Sequence, residues 1–138
     1  MTPRRILETA LYVRDVEEAE AFYLRVLRLK SLVKDPARHV FFRCGDGMLL
    51  LFNAKTTRTE MTEVNGVPIP LHGTQGAGHM AFAMREEEYD AWVNQLQTEG
   101  VPIDAEVVWP QGGRSIYFRD PSGNILELAT PALWGMTE

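Results

Sequence analysis

The feature that most restricts the fold of this chain is a strand-turn-strand signature written twice. Residues 41–52, F-F-R-C-G-D-G-M-L-L-L-F, superpose on residues 117–128, Y-F-R-D-P-S-G-N-I-L-E-L, with Phe42, Arg43 and Gly47 identical to Phe118, Arg119 and Gly123. In the later copy Asp120-Pro121-Ser122-Gly123 suits a tight turn, with a side chain that bonds its own backbone first, a fixed φ second and Gly last. Beyond the turn, period-2 alternation puts Leu126 and Leu128 on one face and Ile125, Glu127 and Ala129 on the other. A carboxylate centred on so apolar a strand needs a partner. A sheet edge facing water or an ion pair with an arginine would supply one. The repeat favours a site instead, and it sets Leu51 opposite Glu127.

The rest of the chain extends the duplication. Residues 8–13 alternate as a strand, with Thr9, Leu11 and Val13 on one face and Glu8, Ala10 and Tyr12 on the other. Asp15 offers an N-cap with Glu18 at capping-box spacing, and Val16, Ala19, Phe22, Tyr23, Val26 and Leu27 form one helical stripe. Strands are expected near residues 30–34, 39–43 and 48–52. From residue 79 the order returns: His79, Ala81 and Ala83 alternate with Met80, Phe82 and Met84. Glu86, Glu87 and Glu88 then suit the positive end of a helix whose buried stripe is Tyr89, Trp92, Val93 and Leu96. Gly100 and Pro102 stop that helix, and strands near 105–109, 115–119 and 125–130 follow. Superposing the copies sets His79 on Glu8. Residues 53–78 lose periodicity and read as a long connection, a linker or a functional lid.

Agreement of strand, helix and turn across both copies predicts an α+β fold of two tandem βαβββ modules, residues 5–53 and 79–131, joined by the connection 54–78. In each module one sheet face packs under the helix and the other lines something shared. Glu8, Leu51, His79 and Glu127 are expected on that second face, and three of these four are metal-ligand types.

Composition narrows the partners. Fourteen basic against 19 acidic residues give a net charge of −5. With no basic run or basic helix face, nucleic acid and anionic membranes are disfavoured. The longest strictly apolar runs, 48–52 and 80–84, fall far short of the roughly 20 residues that span a bilayer. Residues 1–6 carry arginines without an apolar stretch behind them, and the single Cys44 permits no internal disulfide. Both fit a cytoplasmic protein. Cys44, at a turn with no activating base, is read as structural.

With these residues in view, the chain from about Ile6 to Pro131 resembles the vicinal oxygen chelate superfamily, also called the glyoxalase / bleomycin-resistance / extradiol dioxygenase superfamily. L-Y-V-R-D-V-E-E-A-E-A-F-Y at 11–23, G-H-M-A-F at 78–82 and Y-F-R-D-P-S-G-N-I-L-E-L at 117–128 carry the likeness. The resemblance implies paired βαβββ modules whose mixed sheets curve around a cleft. It also implies a divalent metal held from first and last strands, with Glu8, His79 and Glu127 as ligands. Glu8 fills a place more often taken by His or Gln. Leu51 is expected in a fourth place that is a glutamate in four-ligand glyoxalases, so a three-ligand arrangement comes first.

Two carboxylates and an imidazole suit a fairly hard dication such as Mn(II), Fe(II), Ni(II), Zn(II) or Mg(II), and three protein ligands leave positions open for water or substrate. The expected function is a metal-dependent lyase, isomerase or dioxygenase-type enzyme. In it a small molecule chelates the metal through vicinal oxygens, with Glu127 and Glu8 as catalytic carboxylates. The alternative is a metal-free protein that binds a small molecule or antibiotic, as in the bleomycin-resistance branch. Tyr117, Arg114, Tyr12 and His72 are candidate substrate contacts, with Leu51 lining the same cleft, and His39 is a neighbour at most. A homodimer is expected, with the modules closing a site within one chain or between chains.

Overall fold

The computed structural model describes residues 1–137. The chain divides between Gly76 and Ala77 into two compact units. The first holds β1 (Glu8–Val13), α1 (Val16–Val26), β2 (Lys30–Asp35), β3 (His39–Cys44), β4 (Gly47–Asn53), α2 (Ala54–Thr59), β5 (Thr62–Val64) and β6 (Val67–Ile69). The second holds β7 (His79–Ala83), α3 (Tyr89–Thr98), β8 (Ile103–Val108), β9 (Arg114–Arg119) and β10 (Ile125–Ala129). Each unit carries a four-stranded mixed sheet, β1-β4-β3-β2 and β7-β10-β9-β8, whose first and last strands run parallel. The expected α+β class and βαβββ order are those found, and no helix among the described residues is long and apolar enough to cross a membrane.

In the first unit Asp15 caps α1 by accepting from the Glu18 N–H, and Val16, Ala19, Phe22, Tyr23 and Val26 are buried as their spacing predicts. Tyr23 stacks on Phe42, which anchors the helix on the face that carries Leu11, Val40, Leu49 and Leu51. All six of these residues are nearly or fully inaccessible. Each such burial contributes roughly 1.5–3 kcal/mol, so this stripe holds the module together. In the second unit Leu96 and Tyr89 of α3 are buried, while Trp92 and Val93 stay partly exposed. The three glutamates form a short 3-10 turn, Glu86–Glu88, ahead of the helix.

The connection is more ordered than its composition suggests. Asn53 caps α2 by accepting from the Lys55 N–H. Antiparallel β5 and β6 then close around Asn65-Gly66 at φ 51° and 77°. Positive φ at both central residues is the requirement of a two-residue type I′ hairpin, which Asn-Gly meets.

The ladders correct the superposition of the two copies. Phe42 pairs with Leu49 in the first unit, whereas Phe118 pairs with Leu126 in the second, so the second turn is one residue longer. Asp120 holds that longer turn, its carboxylate accepting from the Ser122 and Asn124 N–H groups and from the Asn124 side chain. The counterpart of Glu127 is therefore Leu50. Leu51 pairs with Leu11 under α1 and is fully buried, so it shares no face with Glu8 and cannot line a cleft or touch a substrate. A shift of one residue moves every strand side chain to the other face.

Candidate functional site

In the second unit, parity and register bring ligand-type side chains together on the face away from α3. Glu127 pairs with Tyr117 on one side and Ala81 on the other, and His79 lies two residues before Ala81, on the same face. His79 Nε2 stands 3.3 Å from Glu127 Oε2. The His79 side chain is half exposed, while Glu127 as a residue is only 6% exposed.

Both groups are anchored through their other atoms. His79 Nδ1 lies 3.1 Å from the Ile125 carbonyl, so it donates there, and a neutral ring then carries its lone pair on Nε2. Glu127 Oε1 accepts from the Ser115 hydroxyl at 2.5 Å, and Ser115 Oγ accepts from Trp109 Nε1 at 2.8 Å. Ser115 is fully buried. The Tyr117 ring lies nearly parallel to His79 at 6.2 Å. Burial raises the Tyr117 phenol above its ordinary pKa, with hydrogen bonding to Glu127 and its charge adding to the shift.

The pair fits a cation. A lone pair and a carboxylate oxygen at 3.3 Å make no good hydrogen bond, since charge-assisted pairs close to about 2.7–2.9 Å. Two donor atoms bound to one dication at roughly 2.0–2.2 Å stand about 3.0–3.5 Å apart. The hydrogen bond from the imidazole to a backbone carbonyl is the usual support of a ligating histidine. Among the described residues of either unit, no third His, Cys, Asp or Glu completes a group able to hold a metal.

Glu8 lies in the first unit, exposed, in a row with Met48 and Arg43. Tyr12 shares its face, and its hydroxyl meets His72 Nδ1 at 2.9 Å. His72 also packs edge-on against Phe52 at 4.7 Å, and its N–H donates to the Thr57 carbonyl. These contacts hold it, half-buried, within the first unit. His39 stacks on Phe41 at 4.2 Å, and its buried Nδ1 has no hydrogen-bond partner among the described residues.

Arg114 is a correction. Ser115 shares the face of Glu127, so Arg114 projects to the α3 side. There its guanidinium lies 3.3 Å over the Tyr89 ring and 3.5 Å from Glu86. It braces the helix and is no candidate for substrate contact. Ser115 and Trp109 are the hydrogen-bonded neighbours of Glu127 that sequence reading passed over. The available signal was a hydroxyl at the parity of Tyr117 inside the strand.

Comparison with known proteins agrees with this architecture. Residues 5–128 match the Glyoxalase/Bleomycin resistance protein/Dioxygenase superfamily. A crystal structure of lactoylglutathione lyase from Agrobacterium tumefaciens is 40% identical, with a TM-score of 0.91 over 99% of this chain and 100% of that one. Metallothiol transferase FosB from Lysinibacillus sphaericus is 30% identical over 135 residues, 96% of this chain and 86% of that protein. A third relative, imidazolonepropionase from Aeromonas salmonicida, is 29% identical over 101 residues, and the chain spans only 25% of its length. With nearly its whole length matched, the chain belongs to the Glyoxalase/Bleomycin resistance protein/Dioxygenase superfamily.

Proposed function

We propose that this chain works as a divalent-metal-dependent enzyme of the lyase or group-transfer kind, with Glu8, His79 and Glu127 as ligands and a small substrate bound through two neighbouring oxygens. It is an enzyme of the glyoxalase superfamily, as its relatives at 40% and 30% identity are named lactoylglutathione lyase and metallothiol transferase. Those names favour lyase or thiol-transfer chemistry over ring cleavage. The observation that carries the metal reading is the convergence of His79 Nε2 and Glu127 Oε2, each with its other donor atom anchored.

A bound Mn(II), Fe(II), Ni(II), Zn(II) or Mg(II) would supply Lewis acidity, stabilising negative charge on a chelated oxygen. The side chains of this protein do the rest. The Ile125 carbonyl holds the His79 ring in the tautomer that presents Nε2. Glu127, and Glu8 from the same chain or a partner subunit, are the carboxylates that accept and return protons. Tyr117, with its raised pKa, remains a hydrogen-bond donor at neutral pH on the face of Glu127. Tyr12 and His72 form the polar contact available to substrate in the first unit. Leu50, where a fourth ligand would stand, keeps the set at three and leaves coordination positions for substrate. A homodimer in the cytoplasm completes the reading, the single Cys44 being compatible with a reducing compartment.

The test is elemental analysis of stripped protein re-equilibrated with each of the five ions, for the parent, His79→Ala, Glu127→Ala and Glu127→Gln. About one ion per chain in the parent and none in the folded variants supports the site. No stoichiometric ion in the parent overturns it in favour of metal-free ligand binding.

A further inference from the structure

We propose that Ser115 is a positioning residue that fixes the Glu127 carboxylate so that it offers a single oxygen, Oε2, to the ion, and thereby selects small dications over large ones. The inference rests on the metal reading above and goes beyond it to selectivity. β10 lies between β7 and β9, and the two oxygens of Glu127 divide between those neighbours. Oε1 turns to Ser115 of β9, and Oε2 turns to His79 of β7. A cation held by His79 therefore meets Oε2 and not the bidentate edge of the carboxylate.

The direction of the Ser115 hydroxyl is itself determined. Its oxygen has one hydrogen, and Trp109 Nε1, which can only donate, occupies an Oγ lone pair. The hydrogen goes to Glu127. Trp109 is set in turn by its own backbone: its N–H donates to the Gly113 carbonyl, and its carbonyl accepts from the Gly112 N–H. The chain from loop to indole to hydroxyl to carboxylate is thus closed at each link by a hydrogen bond.

Ion size is where this matters. Bidentate carboxylates suit Ca²⁺, which takes six to eight oxygens at about 2.3–2.6 Å, whereas Mg²⁺ and first-row dications take fewer ligands at roughly 2.0–2.2 Å. Monodentate presentation beside an imidazole favours the smaller class. Without Ser115, Oε1 loses its buried donor and the carboxylate keeps its hydrogen bond to Tyr117 alone, so it gains freedom to turn both oxygens to the ion.

The test measures dissociation constants for Mn²⁺, Ni²⁺, Zn²⁺ and Ca²⁺ by calorimetry and chelator competition on the parent, Ser115→Ala, Ser115→Thr and Trp109→Phe. Melting curves confirm the fold of each. Ser115→Ala should bind the three small ions about 10- to 100-fold more weakly, the usual cost of losing a support to a ligand, with a smaller loss or a gain for Ca²⁺. Ser115→Thr, which keeps the hydroxyl, should restore the parental order, and Trp109→Phe should shift it in the direction of Ser115→Ala. If the parent binds ions and folded Ser115→Ala and Trp109→Phe keep its constants, the positioning role is overturned and the metal reading stands. A parent that binds none of the four ions overturns both.

Discussion

Leu51 lies directly across from Leu11 in the parallel ladder of β1 and β4, and its neighbour Leu50 takes the row of Ala10. That pairing assigns the two leucines opposite tasks. Leu51→Ala should cost about 2–5 kcal/mol by denaturant unfolding and leave metal affinity alone. Leu50→Glu, on the face of Glu8, should fold and retain metal more tightly. Leu51→Glu, with a carboxylate under α1, should not fold. Titration of the soluble variants with Zn²⁺ checks the assignment, and a tighter Leu51→Glu would reverse it.

The same pair marks how far the sequence can be read. Element order, the α1 stripe and the shared face of His79 and Glu127 follow from periodicity, because side-chain direction within one strand depends only on parity. Which residue of one strand faces which of another depends on turn length, and there the identical glycines misled. Gly123 takes φ 84°, but in the first turn the left-handed position belongs to Gly45 at φ 54°, so Gly47 is not its physical counterpart. Arg114 departs from expectation for a related reason: its parity with Ile116 and Phe118 puts it on the helix side, whereas its charge alone suggests a site. The Asn65-Gly66 hairpin follows from its two residues alone, since Asn-Gly is the pair that a type I′ turn favours. The link from Trp109 through Ser115 to Glu127 does not follow from the sequence, since it crosses two strands and a loop.

Arg114 should prove structural. Its guanidinium stacks on Tyr89, whose hydroxyl donates to Glu106, and pairs with Glu86 in partial exposure. Arg114→Ala should lower stability by about 1 kcal/mol, the scale of a partly exposed cation–π contact. Arg114→Lys should recover part of that loss. Neither should alter metal dissociation constants. A large change in metal binding with unchanged stability would return Arg114 to the site.

His39 predicts a pH dependence. Burial lowers its pKa below 6.5, with Asp35 opposing and Arg38 adding to the shift. Its Nδ1 is enclosed against Phe41, where a proton would find no acceptor among the described residues. Below its ordinary pKa the unfolded chain binds a proton that the folded one resists. The contribution of His39 to stability is thus complete above about pH 6.5 and is lost as pH falls from there through the folded value. Melting temperatures at pH 5, 6 and 8 should fall towards acid more steeply for the parent than for His39→Phe. Equal slopes would remove His39 as their source.

The glycines of the loop between β8 and β9 give a test that separates backbone strain from contact. Gly112 and Gly113 both have positive φ, 106° and 88°. A Cβ on Gly112 would meet nothing within 4 Å, whereas one on Gly113 would lie 2.7 Å from the Leu133 nitrogen and 2.8 Å from Thr130 Oγ1. Thr130 Oγ1 already accepts from the Arg114 N–H, and the Thr130 N–H donates to the Arg114 carbonyl, so Thr130 cannot yield without unfastening the start of β9. Gly112→Ala should cost the strain alone, about 1–2 kcal/mol. Gly113→Ala should cost distinctly more, into the range above about 4 kcal/mol that marks a broken constraint. It should also weaken ion binding, because the Gly113 carbonyl holds the Trp109 N–H and Trp109 orients Ser115. Denaturant unfolding and Zn²⁺ titration of the two variants check both effects. Equal losses of stability would mean that the loop carries strain without the contact, and unchanged Zn²⁺ binding in folded Gly113→Ala would mean that it does not reach Glu127.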